Sequence, residues 1–251
     1  MKNLFATGCV LLMIVALFPL SASAATASSD WGGCYIGIHA GFIGPHRTFT
    51  DVGNGSTSFV VDGTPGQSIT LDNSTYLSGG QTGCTFHTGP VLLGPEVELG
   101  WMNLLQNGQD PYVTPAPPAL PPTNNVTTIG MNSGMYGDVA ARVGKPVGNV
   151  LFYGKAGWAF FNGKESFTTQ NSTAAVSSDI PLFQGYVLGA GVEYLIRTHL
   201  TGKIEYAYYN FPTQTFYVAA SNGTFPFTES LYINTLKLGL NFKFNLPHHW
   251  R

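Results

Sequence analysis

Charge is scarce in this chain: Asp, Glu, Lys and Arg make up only 10 % of its 251 residues. Long apolar runs are scarcer still, since beyond Leu20 no segment has the roughly 20 consecutive apolar residues of a transmembrane helix. Bases do not outnumber acids. With the first 24 residues set aside, 10 bases face 13 acids, a net charge of −3 that argues against nucleic acid as a partner. Cysteine is limited to three positions, Cys9, Cys34 and Cys84. Glycine, by contrast, is abundant at 31 residues, as suits strands that pack closely around a narrow interior.

What is present is alternation. Eight stretches, Cys34–Phe42, Gly79–His87, Leu93–Asn103, Met135–Gly144, Leu151–Phe160, Gly185–Leu195, Leu200–Tyr209 and Asn234–Phe244, alternate apolar with small or polar residues. Each is close to the roughly 9–11 residues with which a tilted strand crosses a bilayer. The connections alternate too. Four are long, about 36, 31, 24 and 24 residues, and those around Pro90, Lys145–Asn149 and Arg197–His199 are tight turns. This pattern predicts an eight-stranded antiparallel up-and-down transmembrane β-barrel, with long loops outside the cell and short turns in the periplasm.

The placement of charge within the strands sharpens the expectation, because Lys or Arg facing lipid at mid-depth costs about 2–4 kcal/mol. Glu96 and Glu98 share one parity, as do Asp138 and Arg142, Lys203 and Glu205, and Lys237 and Lys243. With Lys155 and Glu193 they form five acids and five bases assigned to the lumen. The opposite faces, such as Ile36-Ile38-Ala40-Phe42 and Leu236-Leu238-Leu240-Phe242-Phe244, carry no charge and form the lipid-facing band. A soluble eight-stranded barrel would invert this polarity.

At the N-terminus, Lys2, an apolar run from Leu4 to Leu20 and the small residues Ala22-Ser23-Ala24 predict a signal peptide over residues 1–24, followed by a single domain over 25–251. Cys9 leaves with the signal. Cys34 and Cys84 then fall on adjacent antiparallel strands with the same outward parity, where a disulfide is compatible with the register; the alternative is two small apolar side chains in the wall.

The segments Trp31-Gly32-Gly33-Cys34-Tyr35-Ile36-Gly37, Gly189-Ala190-Gly191-Val192-Glu193-Tyr194 and Leu238-Gly239-Leu240-Asn241-Phe242-Lys243-Phe244 resemble the small outer-membrane β-barrels of Gram-negative bacteria. That family is related in architecture to the OmpA transmembrane domain and includes alphaproteobacterial surface antigens and porin-like hemin-binding proteins. The resemblance implies an outer-membrane location, with lipid and the barrel-assembly machinery as partners. Two features depart from it: residues Asn245–Arg251 follow the terminal aromatic Phe244, and the second loop carries Pro111, Pro115, Pro117, Pro118, Pro121 and Pro122. Such a segment favours extended polyproline II, either as a stiff surface loop or as a presented ligand.

The leading functional reading is a structural, surface-exposed barrel with its lumen filled by side chains, since eight strands leave little internal space. A narrow porin-like channel is the alternative. A third reading, implied by the resemblance and by His46 in the first loop, is hemin or host-ligand binding through the loops; His39 and His87 have lumen parity and read as hydrogen-bond partners. No cofactor is assigned, and His248-His249 makes no closed metal site. No enzyme is expected either, because Ser221-Asn222-Gly223 follows Ala219 where a lipid A deacylase would need a histidine.

Overall fold

Alternation with period two becomes β-structure along nearly the whole described chain. A computed structural model describes residues 31–53, 68–104, 106–109, 127–131, 133–163, 165–169, 172–176, 182–220 and 223–244. The segment expected to be a signal peptide, the proline-rich run, Ser221-Asn222 and the residues from 245 on, with His248-His249, all lie outside these residues.

Eight strands make the wall: β1 (Gly33–Asp51), β3 (Thr75–Thr88), β4 (Val91–Met102), β7 (Gly134–Val147), β8 (Val150–Asn162), β11 (Phe183–Arg197), β12 (Leu200–Ala220) and β13 (Gly223–Phe244). Each pairs antiparallel with its neighbours in chain order, and β13 returns to β1, from Cys34 opposite Phe244 to Asp51 opposite Phe227. The sheet has no free edge within the wall. Following paired residues once around from Phe42, through Leu236, Tyr206, Ala190, Gly154, Val143 and Leu93, leads to Phe86, ten residues along β3 from the direct partner Tyr76. That stagger over eight strands sets a tilt of about 40°.

Outward residues are apolar through the middle of the wall; Ile38 is 67 % exposed and Leu238 60 %. Aromatic side chains flank this belt. Tyr76, Trp101, Trp158 and Tyr186 face outward toward the end with long connections, and Phe86, Phe152, Tyr194 and Phe242 toward the end with short turns, the arrangement of interfacial girdles.

The strands run further than the bilayer-length stretches that the sequence suggested. β1, β12 and β13 span 19, 21 and 22 residues, and their outward faces turn polar past Phe42, Tyr208 and Tyr232. The fourth long loop is therefore not a loop, because β12 and β13 stay paired up to Ala220 opposite Gly223. Backbone hydrogen bonding is indifferent to the medium outside it, so a ladder continues wherever two strands remain antiparallel. Pro212 is accommodated where the register shifts between Phe211 and Gln214, since a bulge leaves a backbone position that needs no donor. The other long connections also carry strands. β2 (Ser68–Leu71) pairs with β1, while β5 (Gln106–Gln109), β6 (Thr127–Met131), β9 (Glu165–Thr169) and β10 (Ser172–Val176) form a separate four-stranded sheet.

Pro95 sits inside β4 and is paired with Ala141 on the β7 side. On the β3 side the pairing skips from Gly83–Glu96 to Phe86–Leu93, where proline offers no N–H. Beside this gap β3 is tied to β1 covalently, for Cys34 and Cys84 are directly opposite one another and disulfide-bonded. Gly94 completes the junction; a Cβ there would lie 1.7 Å from the carbonyl oxygen of Cys84, so no larger residue fits.

Candidate functional site

The barrel interior is where this fold collects chemistry. All ten charges assigned to the lumen from parity are buried, and the structure joins nine of them in one network. Lys155 Nζ lies 3.0 Å from Glu98, 3.1 Å from Glu205, 3.3 Å from Glu96 and 3.5 Å from Asp138. Lys203 approaches Glu98 at 3.2 Å and Glu205 at 3.3 Å, while Lys237 reaches Glu98 at 2.5 Å and Glu205 at 2.7 Å. Arg142 pairs with Glu193 and, at 3.4 Å, with Glu96. Lys243 lies toward the short-turn end, its ammonium 5.2 Å from the ring centroid of Trp31.

Neutral polar groups complete the network, and of these the sequence had pointed only to His39 as a hydrogen-bond partner. Tyr35 donates to Glu96 at 2.6 Å, Tyr153 to Glu205 at 2.8 Å and Tyr209 to Asp138 at 2.9 Å. Thr201 donates to Glu193, and the Asn241 amide donates to the same carboxylate at 2.9 Å. His39 lies 2.5 Å from Gln81 and is also hydrogen-bonded to Tyr136. These partners were legible in principle, for Tyr35, His39 and Gln81 share lumen parity with the charges. Space for the rings comes from facing glycines: a Cβ on Gly83 would stand 2.5 Å from the Tyr35 hydroxyl, and one on Gly191 2.6 Å from Tyr153.

Carboxylate oxygens of Glu96, Glu98 and Glu205 lie within 4.8 Å of one another, a spacing that suits a cation. Three lysine ammonium groups already supply it. Isolated ions in such a place would pay several kcal/mol each for desolvation, so every carboxylate is held by a base, a hydroxyl or both.

Above the charges, toward the long connections, the interior becomes apolar. Ile43, Leu77, Met102, Phe161, Phe183, Phe211, Leu231 and Ile233 fill the lumen from all sides. The expectation of apolar residues outside and polar residues inside holds for the lower half and needs correction here. Ile43, Leu231 and Ile233 lie in parity with His39 and Lys237, and a closed interior beyond the reach of water favours apolar filling as much as a soluble core does. Higher still, Arg47 pairs with Glu229, both fully buried, with the guanidinium 4.4 Å from the Phe49 ring centroid. The sequence had left both charges in loops.

Other candidates disperse. His46 belongs to β1 and stacks on Tyr232, with centroids 4.7 Å apart. His87 lies at the exposed end of β3. Gly37-Ile38-His39-Ala40-Gly41 is strand interior.

A wall closed by β13 and β1, belted with apolar residues between aromatic girdles and filled with paired charge, is the geometry of an outer-membrane barrel. The outer membrane protein beta-barrel domain family matches residues 13–244. The chain belongs to that family. It is similar to the 31 kDa outer-membrane immunogenic protein of Brucella melitensis biotype 1, at 27 % identity over 96 % of this chain and 95 % of that protein. It is also similar to the 22 kDa outer membrane protein of Rhizobium leguminosarum bv. viciae, at 28 % identity over 69 % of each. Among solved structures, the outer membrane protein OprG from Pseudomonas aeruginosa shares the fold with a TM-score of 0.51 and 12 % identity, covering 85 % of this chain and 97 % of that one. The protein is thus an outer-membrane β-barrel of a Gram-negative bacterium.

Proposed function

We propose that this barrel is a structural, surface-exposed protein whose lumen does not conduct, with the long connections facing the cell exterior and the short turns facing the periplasm. The observation that carries the reading is the filling of the lumen in layers: Trp31 and Lys243 near the short turns, the charge network in the middle, the apolar cluster above, and Arg47 with Glu229 at the top. An ion crossing such a column would have to break paired charges and then traverse an apolar zone. The porin-like alternative is disfavoured for that reason. The upper parts of β1, β12 and β13 run past the apolar belt and offer a surface to an extracellular ligand, and membrane lipid and the assembly machinery are the partners of this reading. Catalysis has no support in this reading, because the polar side chains of the interior are buried and engaged with one another.

Planar-bilayer recording of the purified, folded protein tests the proposal. The expected trace is silent at moderate voltage. Reproducible unitary steps from the wild type would replace this reading with a narrow channel.

A further inference from the structure

Among the described residues, the outer face of the wall carries an apolar groove. It has a volume of about 700 Å³, is open to the membrane side, and is lined by Phe86, Leu93, Pro95, Val139, Ala141 and Ala156. Its floor is the strand backbone at Ala140 and Gly157. Gly157 has no room for a Cβ, which would lie 2.1 Å from the Val139 carbonyl oxygen. The groove therefore arises where Pro95 interrupts the ladder and where β7 and β8 bring Ala141 and Ala156 opposite each other. Larger outward side chains, Phe86 and Trp158 among them, stand exposed nearby.

Charge at one end of the groove identifies the occupant. Leu93 is paired with Val143, and Lys145 follows Val143 by two residues on the same outward face, at the short-turn end of β7. Among the described residues, Lys145 and Arg197 are the exposed bases, and both lie at that end. An apolar trough in the hydrocarbon belt with a cation at its interfacial mouth matches an amphiphile with a negative head and an apolar tail.

We infer that this groove binds one anionic phospholipid, its acyl chain lying along Pro95, Ala141 and Ala156 and its phosphate meeting Lys145. The leaflet it comes from, the periplasmic one, rests on the orientation proposed above; binding itself does not, so a reversed orientation would relocate the lipid without abolishing the site.

The test is native mass spectrometry of the folded barrel released from mixed micelles containing equal phosphatidylglycerol and phosphatidylcholine, with folding of each variant followed by heat-modifiable electrophoretic mobility. Wild type should retain phosphatidylglycerol about fivefold over phosphatidylcholine, the advantage one lysine gives near an anionic headgroup. Lys145→Gln should remove that preference, whereas Arg197→Gln should keep it. Ala156→Leu should reduce retention of both lipids, and Ala141→Leu, filling the trough from the neighbouring strand, should do the same should the first variant fold poorly. Ala40→Leu, on β1, should change neither. The inference is overturned if the wild type retains no lipid or shows no preference, if the preference survives Lys145→Gln, or if the folded groove variants bind lipid as the wild type does.

Discussion

Arg142 on β7 reaches across β8 to pair with Glu193 on β11, whereas Asp138, four residues back on its own strand, accepts from Tyr209 and faces Lys155. Residues four apart along a strand are separated by about 13 Å, so Arg142 and Asp138 share the lumen without touching, whereas Lys203 and Glu205, only two apart on β12, approach to 3.3 Å. Arg142 finds its partners on other strands.

This arrangement dictates the outcome of a double-mutant cycle. Arg142→Ala should destabilise the barrel by about 3–5 kcal/mol, the usual result of leaving buried carboxylates uncompensated. Glu193→Ala and Glu96→Ala should each couple to it by roughly 0.5–3 kcal/mol, and Asp138→Ala much less. Urea unfolding in lipid or detergent reads the cycle. Coupling strongest to Asp138 would contradict the cross-lumen pairing.

The lipid-facing belt makes a second demand. Leu238→Arg should cost about 2–4 kcal/mol of folding free energy in bilayers. Gly239→Ala should be milder, because the new Cβ meets the flexible Lys203 side chain and the Ile38 carbonyl oxygen at 3.1 Å. Refolding yields into phospholipid vesicles compare the two directly, and equal yields for Leu238→Arg and wild type would remove Leu238 from the belt.

The apolar cluster in the upper lumen behaves as a core. Phe183, buried between Phe161 and Phe211, should lose about 3–5 kcal/mol on truncation to alanine. Phe242→Ala on the outer face should lose less, since lipid replaces the contacts that are removed. The same urea titration separates them, and equal losses would mean that the upper lumen is not packed.

Orientation is tested on intact cells. An epitope inserted between Pro115 and Pro122 should be reached by antibody, and a tag in the Lys145–Asn149 turn should not. The opposite labelling pattern would invert the barrel.

The disulfide stabilises by restricting the unfolded chain, and its 50-residue separation places the expected contribution at about 2–4 kcal/mol. Cys84→Ser and treatment of the wild type with reductant should lower urea stability equally. A larger loss from reductant than from substitution would point to a different origin.

Alternation of period two was enough to specify the wall, its strand number, its antiparallel order and inside against outside, because a one-residue slip would carry all the same-parity charges of a strand onto the lipid face together. The lumen positions of Glu96, Glu98, Asp138, Arg142, Lys155, Glu193, Lys203, Glu205, Lys237 and Lys243 were legible for the same reason. Tertiary structure alone decided who meets whom. Pairing across a closed barrel depends on stagger and curvature, which carry no local signature, so Arg142 finds Glu193 and Lys243 settles against Trp31. It decided also where the strands stop. Hydropathy marks the edge of the bilayer, but a ladder of backbone hydrogen bonds continues past it, which is why Arg47, Phe49 and Glu229 lie inside a barrel that the sequence had ended at Phe42 and begun again at Asn234.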